Sequence, residues 1–173
     1  MTSFPFRHTI YSTKHTNMKN TIFTPIRFTA MLAIAICSAS CALRSITSDY
    51  HFEDATMKDI SLEKLGDGKV LFYNNVNFMH TLDNTGRINI WIDDKPAGQL
   101  RSGEYIIYKL AAGKHQVRLL HIDMVNIRSS HEVTLTNATK VIKVKATAAS
   151  NDLTVTNSLP DDFSKFKHAP KRN

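Results

Sequence analysis

The segment that most narrows the fold is RINIWID, residues 87–93, in which Ile88, Ile90 and Ile92 alternate with Asn89 and Trp91. A side-chain period of two belongs to a strand with one face buried and the other wet; a helix would bring its apolar residues round every three or four positions. The same grain continues from Lys69 to about residue 159. The runs KVLFYNN (69–75), EYIIYKL (104–110), HQVRLLHID (115–123), HEVTLTN, KVIKVKATA and LTVTNSL are divided by GDG, DKPAG, RSG and AAGK. Turn signals spaced about eight to twelve residues apart predict an all-β fold, a small antiparallel β-sandwich of about seven strands. Residues 97–100 are expected to return as a short partner of RINIWID. Gly113 is expected at φ > 0 in its turn. Tyr105, on the face of Ile107, is expected to bury its ring and tie its hydroxyl to backbone.

Ahead of this domain lies MLAIAICSASCALR, residues 31–44, an apolar run ending in two cysteines. Lys19 and Arg27 precede the run, and Ser38, Ala39 and Ser40 lead up to Cys41, which is the layout of a secretory signal. The apolar stretch, residues 28–36, falls well short of the roughly 20 residues needed to span a bilayer. Small residues before a cysteine resemble the lipobox of bacterial lipoproteins, although Ser38 stands where Leu is usual. Ile36 is too large for cleavage before Cys37, so Cys41 is the expected lipidation site. The resemblance implies cleavage before Cys41, acylation of its thiol (palmitate among the chains) and, with Ala42 next, sorting to the outer membrane. Cys37 would leave with the signal, so the pair is neither redox-active nor a metal site, and the alternative is a retained membrane helix.

Charge supports this division. All 15 Asp and Glu lie at or after Asp49, and four of the 22 Lys and Arg precede Cys41. The net +7 therefore divides into +4 before Cys41 and +3 from it onward, too weak and scattered for a phosphate-tracking stripe, so no nucleic-acid partner is expected. The expected organisation is 1–17 as a start-site artefact with synthesis from Met18, 18–40 as signal peptide and 41–67 as lipidated cysteine and tether. A sandwich follows over 68–159, and 160–173 is read as a mobile basic tail.

Within residues 68–119, Ile90-Trp91-Ile92-Asp93, Ala97-Gly98-Gln99-Leu100, Gly103-Glu104-Tyr105 and Ala112-Gly113-Lys114-His115-Gln116-Val117 form a recurring layout. It resembles a family of uncharacterised bacterial lipoprotein domains akin to PEGA-type β-sandwich modules. Asp94 replaces the family's turn Gly, Ala112 its Pro, and Asn74 and Asn75 stand where an Arg often follows the first strand. The resemblance implies a fold and an envelope location, and no reaction.

The chemical candidates are sparse. His115, His121 and Asp123 share a strand face, with His121 and Asp123 about 7 Å apart by strand rise; a metal would need a further ligand such as His131, and no tight ligand spacing supports one. Asp93 and Asp94 are adjacent, so on a strand they point apart, and a hairpin cap is favoured over an acid–base pair. Nucleophile motifs and phosphate-binding glycine patterns are absent, and neither enzyme activity nor a cofactor is expected. Trp91, exposed by alternation, is a candidate binding anchor with Tyr105 and Tyr108. Lys143, Lys145, Lys165 and Lys167, with Lys171 and Arg172, are candidates for contact with an anionic surface; a solvated strand face is the plainer reading. The expectation is a non-catalytic binding or scaffold subunit on the periplasmic face of the outer membrane, meeting another envelope protein through residues 76–86 and 124–130. The alternative is a carbohydrate- or peptidoglycan-binding module that stacks sugars on Trp91 and the tyrosines. The sequence leaves the oligomeric state open.

Overall fold

A computed structural model of the chain describes residues 43–53, 60–75 and 86–172. They form nine strands: β1 (Lys69–Asn74), β2 (Ile88–Ile92), β3 (Lys95–Leu100), β4 (Glu104–Lys109), β5 (Gly113–Ile122), β6 (Asn126–Leu135), β7 (Val141–Ala146), β8 (Asn151–Val155) and β9 (Lys167–His168). A five-stranded sheet, ordered β8-β7-β1-β4-β9, packs on a four-stranded sheet, ordered β3-β2-β5-β6, so the fold is an all-β sandwich. The leader and Cys41 lie outside the described residues, as do 54–59 and all of the 76–86 loop except Gly86.

Alternation builds the core. Val70 and Phe72 of β1, Ile106 and Tyr108 of β4, and Ile142 and Val144 of β7 face inward. They meet Ile88, Ile90, Ile92, Leu100, Val117, Leu119 and Leu135 of the opposite sheet, all buried. Each such side chain contributes roughly 1.5–3 kcal/mol by leaving water. Tyr108 is the polar tie across this core, its hydroxyl donating to Ala97 O at 2.6 Å. Tyr50, Phe52 and Phe72 stand edge-on around its ring at 5.8, 5.8 and 5.1 Å. Complete burial pushes the Tyr108 phenol far above its ordinary pKa, so the hydroxyl remains a donor.

Three features depart from the sequence expectation. There are nine described strands rather than about seven, because the short return at Lys95–Leu100 is a full strand and β9 forms inside the tail; β6 also reaches back to Asn126. The first half of β6, NIRSSHE, carries no apolar alternation because it projects with β5 and has water on its outer face. Secondly, two pairings are parallel, β1 with β7 and β4 with β9. The chain leaves β6 at the end of the sandwich where β1 begins, crosses to the other sheet and enters beside β1 in the same direction. Thirdly, the turn after β2 is Asp93 and Asp94 alone, with φ of 50° and 65°. Two left-handed residues make the tight turn whose twist matches a hairpin, and Lys95 and Pro96 already belong to β3, whose edge position tolerates proline.

Two segments expected to be loose are docked. The described part of the expected tail, 160–172, is fastened to the sandwich rather than loose. A 3-10 turn, Phe163–Lys165, brings Phe163 and Phe166 over the five-stranded sheet. Phe166 meets the Tyr73 ring at 5.6 Å and Phe163 the Tyr105 ring at 5.1 Å. With Ile60, Leu62, Leu65 and Leu159 they cover Leu71, Tyr73, Tyr105, Ile107 and Val141, so β1 and β4 at the centre of this sheet are buried on both faces. Farther on, Arg172 Nη2 meets Glu104 Oε1 at 2.5 Å, and Arg172 Nη1 donates to Gln99 O at 2.9 Å. The beginning of the expected tether is also held: residues 43–53 wrap the β3 edge, with Asp49 N–H donating to Pro96 O and Tyr50 Oη to Ile92 O. Gly98, at φ 103°, lets this strap pass closely; a Cβ there would meet Phe52 at 3.3 Å and Ser48 at 3.5 Å.

Candidate binding surface

The outer face of the four-stranded sheet stays open over Trp91, β5 and β6, while the N-terminal strap buries Asn89 and Gln99 on its β3 side. With Ile88, Ile90 and Ile92 turned inward, β2 presents Asn89 and Trp91 outward. Register then builds two cross-strand rows: Trp91 opposite Arg118, itself opposite Ser130, and Asn89 opposite Leu120, itself opposite Arg128. A groove of about 520 Å³ lies along them, lined by Trp91, Arg118, Leu120, Arg128, Ser129 and Ser130. Arg118 is drawn to Asp94 at 3.0 Å, both exposed. Exposed pairs of this kind are weak and easily exchanged for a ligand's charge.

One flank of this face is the N-terminal strap. Asn89 Nδ2 donates to Arg44 O at 2.9 Å, and Gln99 Nε2 donates to Leu43 O at 3.3 Å and to Asn89 Oδ1 at 2.9 Å. At the end of the sheet, β5 and β6 run on past β2 as a hairpin whose last pair is Ile122 with Asn126. Its tip carries Met124, 96% exposed, and Val125, 66% exposed.

Of the three proposed aromatic anchors, only Trp91 lies at this surface. Tyr105 and Tyr108 are buried, which corrects the three-residue patch. They belong to opposite faces of β4, Tyr105 beneath the C-terminal strap and Tyr108 inside the core, so neither offers a stacking platform. The lysines divide by strand. Lys143 and Lys145 are half-buried on β7, Lys167 is exposed on β9, and Lys165 is paired with Asp162 at 3.0 Å. Register places Lys143 level with Tyr73, and Lys167 with Glu104, so both lie toward the end that carries the hairpin tip.

The histidines serve other ends. His121, buried, bonds through Nδ1 to Asn151 Oδ1 at 2.7 Å, and His131 Nε2 lies 2.9 Å from Asn151 O. Asn151 in turn donates to Ile127 O at 3.1 Å, so both rings are committed to closing the β5–β6–β8 corner. Among the described residues no three His, Cys, Asp or Glu side chains converge on a metal position. His115 clasps a turn: Nδ1 meets Asp93 Oδ2 at 2.6 Å and Nε2 meets Ala111 O at 2.8 Å, while Gln116 N–H donates to Asp93 Oδ1 at 3.0 Å. Partial burial opposes charge on both groups, but these bonds outweigh it. His115 is held above its ordinary pKa by Ala111 O and the Asp93 carboxylate, and Asp93 below its own by His115 and Gln116 N–H. With both ring nitrogens engaged, this imidazole has no lone pair for base chemistry.

The sequence does not single out Arg118, Arg128, Met124 or Val125, although the last three fall in the expected loop 124–130. The signal was available in RLLHIDMVNIR: residues of the parity opposite to Val117 and Leu119 had to face outward beside Trp91. Comparison with protein-family models, with curated proteins and with solved structures finds no match to this chain.

Proposed function

We propose that the chain is a lipid-anchored bacterial envelope protein whose sandwich is a non-catalytic binding or scaffold subunit, held at the periplasmic face of the outer membrane through Cys41. The signal layout before Cys41 and the resemblance of residues 68–119 to envelope lipoprotein domains support the location. The observation that carries the binding role is the asymmetry of the two outer faces. One sheet is sealed by Phe163, Phe166 and the segment before β1, whereas the other leaves Trp91, Leu120 and two arginines around an open groove. Aromatic and arginine side chains grouped at the centre of a face are the residues from which protein interfaces draw most of their affinity. A photo-crosslinking side chain at Ser130, in whole cells, is expected to capture one dominant envelope protein, and Arg118→Glu to abolish the product. A diffuse ladder unchanged by Arg118→Glu would count against the groove.

The second reading, a carbohydrate- or peptidoglycan-binding module, draws on the half-buried Trp91 beside serine hydroxyls and arginine donors, a combination that suits a sugar ring. Retention on purified cell wall that disappears in Trp91→Ala would favour it over the protein partner.

A further inference from the structure

We propose that the end of the sandwich formed by the β5–β6 hairpin tip is a membrane-contact surface that seats Met124 and Val125 at the boundary between the headgroups and acyl chains of anionic phospholipid. The orientation rests on the anchoring of Cys41 proposed above; the contact surface itself is read from the geometry of the domain.

The tip is unusual within the chain. The other tight connections among the described residues are made from turn-forming, polar or small residues, apart from the buried Leu110: Gly66, Asp67 and Gly68; Asp93 and Asp94; Arg101, Ser102 and Gly103; Leu110, Ala111 and Ala112; Thr136, Asn137 and Ala138; Thr147 to Ser150. Among the described residues only Asp123, Met124 and Val125 place two large apolar side chains at a turn, and these are the two most exposed large hydrophobics there. The hairpin also projects: β2 lies beside β5 as far as Leu120, and β5–β6 continues to Ile122 and Asn126. Water gains nothing from such a tip, whereas the boundary between headgroups and acyl chains receives apolar side chains to a depth of about 5–10 Å.

Cations share this end of the sandwich with the tip. Arg128 is four residues from Met124 and exposed, and Arg101 is exposed in the β3–β4 turn at the same end. Lys145 stands at the end of β7 that pairs with Asp152, and Lys167 lies opposite Glu104 at the start of β4. Asp123 is the one carboxylate in the tip itself. Cations at the same end as an apolar point, with Arg101 and Arg128 exposed, are complementary to phosphate headgroups over acyl chains.

The first described residues head toward this same end. The N-terminal strap passes from Leu43 and Arg44, beside Gln99 and Asn89, to Asp49 beside Pro96. Followed backward, it runs along β3 in the direction Pro96 to Leu100, toward the end where β5 continues into the tip. Cys41 precedes Leu43 by two residues, which span at most about 7 Å. β3 and β5 are two strand spacings apart, about 10 Å. An acylated Cys41 and the Met124 tip can therefore touch one lipid surface together, leaving the Trp91 groove above it and accessible.

The test uses the protein purified from its native host and placed in phosphatidylglycerol vesicles whose acyl chains carry bromine, a contact quencher of tryptophan. Trp91 is the chain's single tryptophan, and a second form carries Met124→Trp with Trp91→Phe. The tip tryptophan is expected to be quenched at least about threefold more than Trp91, since only a ring among acyl chains meets bromine. Arg128→Glu with Lys145→Glu is expected to remove most of that difference. Equal quenching at the two positions in acylated protein would overturn the contact surface and leave the anchor standing. Intact mass of the same sample reads the anchor separately: absence of lipid mass would overturn the anchor and this orientation with it.

Discussion

Tyr108 shows how one atom links the two sheets. Its hydroxyl leaves β4, crosses the core and ends on Ala97 O of β3, so removing that oxygen strands a buried acceptor. Tyr108→Phe is expected to cost about 1–2 kcal/mol in urea unfolding with an unchanged slope. A hydroxyl tied to backbone is expected at Tyr105; the bond that crosses from one sheet to the other is made by Tyr108. The pattern EYIIYKL shows that the tyrosines at 105 and 108 must face opposite ways, since they are an odd number apart. It does not show which side of β4 is the core, because here both sides are dry. The His115 clasp gives a second expectation at this scale. Asp93's lowered pKa adds stability above the ordinary carboxylate range, lost as pH falls through its folded value. His115's raised pKa adds stability below the ordinary imidazole range, lost as pH rises through its folded value. Both contributions are present between roughly pH 4 and 6.5. The Tm difference between the parent and His115→Ala should be greatest near pH 5 and should shrink toward pH 9 and toward pH 3. A difference independent of pH would mean that the clasp works without its charge.

At the scale of elements, the strands with clean alternation were readable and the fastenings were not. RINIWID and EYIIYKL sit where period two places them, because each has at least one face in the main core. β9 is a two-residue strand following a single 3-10 turn, too short for any periodicity to register, and its hold comes from Phe163 and Phe166, three residues apart. The first half of β6 was unreadable for the opposite reason: with little packed on it, nothing selects apolar residues there. Phe166 is the hinge-pin of the C-terminal strap. Phe166→Ala is expected to cost about 3 kcal/mol by chemical denaturation and to expose the Lys167 and Ala169 amides, which donate to Gly103 O and Tyr105 O, to faster hydrogen exchange. Full protection of those two amides in the variant would mean that the strap is held by Arg172 and Glu104 instead.

For the whole molecule, the sandwich has one sealed flank, one open flank and one apolar end. The tail cations are not equivalent: Arg172 is held by Glu104 in a largely buried pair, whereas Lys165 has only an exposed partner in Asp162. The open flank holds Trp91, as alternation indicated, but its arginines come from β5 and β6, and only the strand register brings them beside it. Place, partner and orientation all depend on what happens at Cys41. The direct measurement is the intact mass and N-terminal residue of the mature protein extracted from its native host. The account predicts a chain beginning at Cys41, heavier than its peptide mass by its acyl chains and recovered with outer membranes; an unacylated chain still carrying residues 18–40 and recovered from the cytosol would contradict it.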